Sequence, residues 1–267
     1  MIVRKVTKVL RKLQWSSPQI GSVPLRWHVG QPNFGDDLNP YFFQKLLAKP
    51  VRLVRQSQVH LLGIGSILNV AKSGSIVAGC GLLSPELKPR PSAARIISLR
   101  GYLTAEAIGC EPGHYGDPAL LVARLFPRIR KALYRIGVIP HHSRRGCSQS
   151  APRRDVLFID PGWHPLRVID AITQCQGILS QSLHGLIIAD AYDIPNGWLA
   201  PDQAMIGGEF KFADYFGTTK IPKQAFPTDS LEKLLDSKDL PLYVSPFRFD
   251  LGDYQSYLVR EIKRELA

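Results

Sequence analysis

Short apolar runs bounded by turn residues alternate with amphipathic stretches along this chain, and the alternation starts twice. In the first half, Leu25-Arg26-Trp27-His28-Val29 reads as a strand, Gly30 to Gly35 as a loop and Asp37 to Leu47 as a helix, with further short apolar runs at 51–54, 59–64, 75–78 and 95–99. The pattern restarts at Arg135-Ile136-Gly137-Val138-Ile139 and continues through 155–159, 177–179 and Trp198-Leu199, with helices at 168–174 and 183–192. Strands alternating with helices predict largely parallel sheets covered on both faces. The expected fold is α/β: two Rossmann-like domains, residues 1–127 and 128–267, facing a cleft. The last helix, 254–266, is expected to pack back across the first domain. Ligands bind such folds at the carboxyl ends of the strands.

Composition narrows the partners. The 267 residues carry 34 Lys and Arg against 22 Asp and Glu, a formal charge of +12, so an anionic partner is favoured. No apolar run approaches a membrane span, and Arg4, Lys5, Lys8, Arg11 and Lys12 interrupt the N-terminal apolar residues too closely for a secretory signal. Cys80, Cys110, Cys147 and Cys175 form no Cys-x-x-Cys pair, which argues against structural zinc or a disulfide framework and for a reducing cytoplasm.

Residues 1–15 gather Ile2, Val3, Val6, Val9, Leu10, Leu13 and Trp15 on one helical face and the basic residues on the other. Such a helix either lies on an acidic membrane surface or docks on its own domain with solvated lysines. A second basic region, Arg124 to Arg135 with Arg144, Arg145, Arg153 and Arg154, surrounds a segment at 143–153 that reads as a mobile loop with solvated arginines.

Several segments carry chemistry. Ser182-Leu183-His184-Gly185 follows a buried strand and opens a helix. Ser180 or Ser182 is the expected N-cap, and His184 in the first turn meets the positive end of the helix dipole, which disfavours its protonated form. It is either a neutral base or a histidine satisfied by the backbone. In Asn33-Phe34-Gly35-Asp36-Asp37, Gly35 allows a tight turn or close approach, and Asp36 or Asp37 is the expected helix cap. No acidic or histidine partner stands nearby in the sequence to make them a metal site. Gly63-Ile64-Gly65-Ser66-Ile67-Leu68 leads toward a possible helix and offers backbone donors to a phosphate or carboxylate, without a dinucleotide fingerprint or P-loop lysine. Arg100 ends a strand and reads either as a bidentate anion grip in the cleft or as a surface ion pair. Asp117 reads as a cap, His141 as a residue where the two domains meet, and His142 as facing solvent or neighbouring structure.

In this order, Asn33-Phe34-Gly35-Asp36, Gly63-Ile64-Gly65-Ser66, Ser98-Leu99-Arg100-Gly101, Gly116-Asp117-Pro118, Ile139-Pro140-His141 and Ser182-Leu183-His184-Gly185 resemble the polysaccharide pyruvyl transferase family, particularly its short bacterial members. The resemblance implies a GT-B-like fold, phosphoenolpyruvate as donor substrate without a metal or other cofactor, and a hexose of an exopolysaccharide repeat unit as acceptor. The implied product is a cyclic ketal through the 4 and 6 hydroxyls of glucose or galactose. The implied acceptor is lipid-linked at the cytoplasmic membrane face, giving the basic N-terminal helix a peripheral role there. His184 and His141 are the expected acid and base, unassigned between them. Arg100, Ser182, Leu183, Asn33, Gly35, Asp36, Gly65 and Ser66 are the expected substrate contacts. Many members carry Arg where this chain has Ser182, which leaves more of the donor's charge to Arg100 and the helix N-terminus.

Two rival classes remain. A glycosyltransferase using a nucleotide-sugar donor fits the same architecture; the chain has no Glu-x7-Glu pair, although inverting enzymes do not need one. A nucleic-acid binder fits the charge, but aromatics such as Phe42 and Phe43 fall inside apolar runs rather than between exposed basic residues. No nucleic-acid partner is therefore expected.

Overall fold

The computed structural model describes residues 2–55, 58–87, 94–129, 131–141, 153–200 and 207–266. After helix α1 (Ile2–Ser16), the first half contains β1 (Val23–Arg26), α2 (Phe34–Leu47), β2 (Val51–Leu53), β3 (Leu61–Leu62), β4 (Ile76–Ala78), β5 (Arg95–Ser98) and α3 (Tyr102–Ile108). A 3-10 turn (Pro118–Leu121) and α4 (Val122–Leu125) lead to the second half. There β6 (Tyr134–Ile139), β7 (Val156–Phe158), α5 (Pro165–Thr173), β8 (Cys175–Ser180), α6 (Leu183–Ala191) and β9 (Asn196–Leu199) precede α7 (Phe210–Phe216), β10 (Ala225–Phe226), α8 (Leu231–Asp236) and α9 (Leu251–Glu265).

The expected α/β class with parallel sheets is what the chain adopts. The strands form two five-stranded sheets, ordered β2-β1-β3-β4-β5 and β7-β6-β8-β9-β10, and every pairing within them is parallel. The two orders are the same pattern used twice. In each half the chain leaves its first strand toward one edge and returns on the other side of it, so connections diverge between β1 and β3 and between β6 and β8. Crevices open at the carboxyl ends of strands at such switch points.

Local details differ from the sequence reading where side-chain hydrogen bonds override pattern. Asn33, not Asp36 or Asp37, caps α2: its side chain accepts from the Gly35 N–H, while Asp37 accepts from the Asn33 N–H at 3.1 Å. The helix therefore starts at Phe34, three residues earlier than the apolar pattern suggested. After β3, only a 3-10 turn (Leu68–Val70) follows Gly65 and Ser66. Asn39 holds this segment by donating to the Ile64 carbonyl at 2.9 Å and accepting from the Ile64 N–H at 3.1 Å. The described arginines of the second basic region are largely paired rather than free: Arg128 with Asp170, Arg135 with Asp155, and Arg153 with Glu232 and Asp236. His142, Arg144, Arg145 and Cys147 lie outside the described residues.

One apolar core runs through both halves. Phe34, Leu38 and Phe42 of α2 share it with Ile169 and Ile172 of α5 and with Ile187 and Ile188 of α6. Beyond its cavity-facing start at His184, the α6 helix is buried and almost wholly apolar, as an enclosed helix must be. Its one carboxylate, Asp190, is satisfied by Asn196, the Ser245 N–H and the Tyr215 hydroxyl. The last helix returns to the first sheet: Tyr254 donates to the Gly116 carbonyl at 2.6 Å, Gln255 to Leu120 at 2.7 Å and Tyr257 to Ile97 at 3.2 Å. Among the described residues no helix is long and apolar enough to cross a membrane.

A buried ion pair also joins the halves. Arg100 follows β5 and is 1% exposed; its Nε donates at 2.9 Å to Asp214 of α7, which is fully buried. The other Asp214 hydrogen bonds come from the N–H and hydroxyl of Thr104 at 2.8 and 2.7 Å. Asp214→Ala would strand the Arg100 charge without water or a counter-ion and should cost about 3–5 kcal/mol. Urea denaturation of the variant and parent, compared at the midpoint, measures that loss.

Candidate functional site

A cavity of about 480 Å³ opens where the carboxyl ends of the two sheets face each other. From the first sheet come Arg26, Trp27 and His28 at the end of β1, Asn33 and Asp36 at the start of α2, and Ser66 after β3. From the second sheet come His141 after β6, Pro161 after β7, and Ser182, Leu183 and His184 after β8. Lys211, in the first turn of α7, adds a cation, and Ile67, Val70, Leu83 and Leu87 add an apolar side. The lining thus draws on both switch points of the duplicated sheet order.

Close packing positions His184. Gly35 lies so near that a Cβ there would overlap the imidazole ring, and a Cβ on Gly185 would overlap the Ser180 hydroxyl. Ser182 occupies the N-cap position without a side-chain cap. Its N–H donates instead to the Ser180 hydroxyl at 2.9 Å, and that hydroxyl donates to the Ser182 carbonyl at 2.8 Å. Ser182 itself lines the cavity. His141 is held by its backbone, whose N–H donates to Gln181 Oε1 at 3.1 Å.

Several titratable groups on the cavity wall are shifted from their ordinary values, and three of them, His184, Asp36 and Lys211, lie farthest from those values. Burial, then the positive charges of Lys211 and Arg100, push His184 down to about 3, so its imidazole is neutral near pH 7. Its Nε2 is buried without a hydrogen-bond partner. Burial, then the neighbouring Asp37 charge, raise Asp36 to about 7 against the opposing pull of Lys211, Asn33 and Arg11. Lys211 falls to about 8, mainly through burial and then through Arg100. A neutral imidazole, a carboxyl close to half protonated at neutral pH and an ammonium in one cavity form an arrangement for moving protons beside a bound anion.

Of the expected contacts, Asn33, Asp36, Ser66, His141, Ser182, Leu183 and His184 line the cavity, whereas Gly35, Gly65 and Arg100 stand behind it. Gly65 has φ +117°, a conformation that excludes most side chains, and it passes beside Asp36. Arg100 corrects both of its sequence readings. It neither reaches into the cleft nor pairs at the surface, because its guanidinium lies over Gly81 and is consumed by Asp214, by Ser66 Oγ at 2.6 Å and by the Leu82 carbonyl at 2.7 Å. Among the described residues no group of three or more His, Cys, Asp and Glu is gathered to hold a metal ion.

Lys211 and the Arg26-Trp27-His28 wall are site residues beyond those expected from the sequence. The latter carried a usable signal, since it ends the first strand, where the switch-point rule places ligands. Lys211 carried none, because α7 is short and its position depends on the distant Arg100–Asp214 contact.

A family model described as polysaccharide pyruvyl transferase matches residues 33–203. The chain is 32% identical over 218 residues to the succinoglycan biosynthesis protein ExoV of Rhizobium meliloti (strain 1021), covering 75% of this chain and 67% of that protein. It is 25% identical over 221 residues to the uncharacterized protein L143 of Acanthamoeba polyphaga mimivirus, covering 76% of each. A solved structure of a functionally uncharacterized protein from Klebsiella pneumoniae subsp. pneumoniae NTUH-K2044 is similar at a TM-score of 0.39 and 12% identity, over 75% of this chain and 90% of that one. Lys211 and the Arg26-Trp27-His28 wall lie outside the stretch matched by the family model.

The shifted carboxyl has a consequence for stability. Unfolded, Asp36 ionises near 3.8; folded, it keeps its proton to about 7. The cost of burying its charge is absent below the first value, grows between the two and is complete above the second. Asp36→Asn should therefore melt several degrees above the parent at pH 8, with the difference shrinking toward zero near pH 4, in thermal denaturation followed by circular dichroism.

Proposed function

The chain belongs to the polysaccharide pyruvyl transferase family, and from that premise we propose that it transfers pyruvate from phosphoenolpyruvate to a hexose of an exopolysaccharide repeat unit as a cyclic ketal, releasing phosphate. The acceptor is a lipid-linked oligosaccharide at the cytoplasmic membrane face, and the ketal bridges the 4 and 6 hydroxyls of glucose or galactose. In this reading residues 1–127 and 128–267 act as the two domains of a GT-B-like arrangement, with donor and acceptor meeting between them. The observation that carries the reading is the convergence of neutral His184, protonatable Asp36 and cationic Lys211 on one cavity.

The chemistry requires these types of group. Phosphoenolpyruvate brings a phosphate and a carboxylate, which Lys211, the Ser66 and Ser182 hydroxyls and the N-terminal N–H groups of α6 receive. Protonated Asp36 delivers a proton to the methylene carbon, which becomes the ketal methyl. One sugar hydroxyl adds at the central carbon and passes its proton to neutral His184. The bond from that carbon to the phosphate oxygen then breaks, and phosphate leaves with the electron pair. The second hydroxyl adds and gives up its proton to His141. One histidine proton then returns to Asp36 and the other passes to the departing phosphate, so that in sum one hydroxyl proton goes to carbon and the other to phosphate, and all three side chains regain their starting forms. Arg100 supports this chemistry by holding Ser66 and Asp214 rather than by gripping the donor.

The reaction is tested with phosphoenolpyruvate and a defined oligosaccharide acceptor, measuring phosphate released and the ketal methyl by NMR. Nucleotide release from a sugar nucleotide, with no phosphate from phosphoenolpyruvate, would instead make the protein a glycosyltransferase. His184→Ala is expected to lower turnover by about 10²–10⁴ while circular dichroism stays unchanged; near-normal turnover removes His184 from the chemistry. The pH profile has a set direction. kcat/KM for phosphoenolpyruvate should fall as Asp36 loses its proton above about 7 and fall further as Lys211 loses its charge above about 8. A profile flat to pH 9 contradicts both roles.

A further inference from the structure

An amphipathic helix packed on its own protein normally hides its apolar face, and α1 does the reverse. Between residues 7 and 16 only Arg11 and Trp15 are even half-buried. Arg11 pairs with Asp37 and donates to the Gly30 carbonyl at 2.7 Å, while Trp15 meets Trp27 and Tyr41 edge-on. Val9 and Leu13 stand two residues before each of these anchors, about 200° round the helix, and are 54% and 60% exposed; Leu10 beside them is 60% exposed. Lys8 and Lys12 form the neighbouring row and are also exposed. The helix is thus fastened through a cation and an indole, and it presents an apolar strip edged with lysines outward.

We propose that the outward strip of α1 is a membrane-docking surface, in which Val9, Leu10 and Leu13 enter the headgroup boundary of an anionic bilayer while Lys8 and Lys12 face its lipid phosphates. Burying leucine side chains in that boundary supplies the apolar gain, and each lysine adds attraction to anionic headgroups. A second copy of the chain fits less well, because antiparallel strip-to-strip contact would bring the two lysine rows together. The whole chain carries +12, which favours the anionic surface over a like-charged partner. Docking also has a defined relation to the cavity. Lys8 and Lys12 are near enough to His28, a lining residue, to help lower its pKa after burial. A bilayer against α1 therefore lies beside the site. The inference concerns where the protein sits and stands apart from the reaction proposed above.

The test is flotation of the full chain with vesicles of phosphatidylcholine alone or mixed with phosphatidylglycerol, at matched ionic strength. The parent should bind the anionic vesicles at least about tenfold more tightly, since both lysines are attracted to such a surface. The double variant Leu10→Gln/Leu13→Gln should lose more than tenfold of that binding with an unchanged melting temperature, and Lys8→Gln/Lys12→Gln should lose the preference for anionic lipid. Equal binding of parent and leucine variant overturns the proposal, as does equal binding to both vesicle types. Displacement by inorganic phosphate would assign the attraction to the cavity and also overturn it. A dimer in analytical ultracentrifugation that disappears in the leucine variant would give the strip to a second copy. The readout is binding rather than turnover, so failure here and failure of the pyruvyl-transfer reading are distinguishable.

Discussion

The arrangement of the cavity rests on a charge removed from water. Arg100 is enclosed and Asp214 is its counter-ion across the two halves of the chain. A buried guanidinium is tolerated only when its donors are satisfied, and here Nε goes to Asp214, one terminal nitrogen to Ser66 and the other to the Leu82 carbonyl. These bonds fix three things together. Ser66 is held at the cavity wall, the start of α3 is held through Thr104, and α7 is drawn onto the first half. Lys211 precedes Asp214 by three residues, about one helical turn, so the contact that anchors α7 also determines where its ammonium lies.

Around that anchor the protein holds groups in forms that burial favours and water does not. Asp36 retains its proton into the neutral range, His184 remains neutral and Lys211 is weakened as a cation. Glycines allow the required close approach: Gly35 under the His184 ring, and Gly65 at positive φ beside Asp36. Sites that move protons characteristically carry this kind of displaced titration. The apolar contact of α2 with α5, and of α5 with α6, helps to hold the first and second sheets together around them.

Features that repeat along the chain are legible in its sequence, and features decided by one contact are not. The strands at 51–53, 76–78, 95–98, 134–139 and 175–180 were legible because buried parallel strands need apolar runs, which stand out against turn residues. The helix containing His184 was legible for the same reason. The cap of α2 was misplaced because several side chains there can cap a helix, and the choice of Asn33 over Asp36 or Asp37 depends on hydrogen-bond geometry. Arg100 was misplaced because a strand end faces the cleft on average, while the direction of one long side chain depends on its partners.

By itself, the sequence determined the α/β class, the parallel strands, the family, and the presence of Asn33, Asp36, Ser66, His141 and His184 in segments that open from strand ends. These follow from local chemistry and periodicity, which neighbouring residues carry. Tertiary structure alone decided that Arg100 is enclosed rather than exposed to the cavity, that Lys211 takes a place on its wall, and that α1 turns its leucines outward. The reason is physical: whether a charged or apolar group meets water depends on what packs against it, and its partners here come from distant parts of the chain.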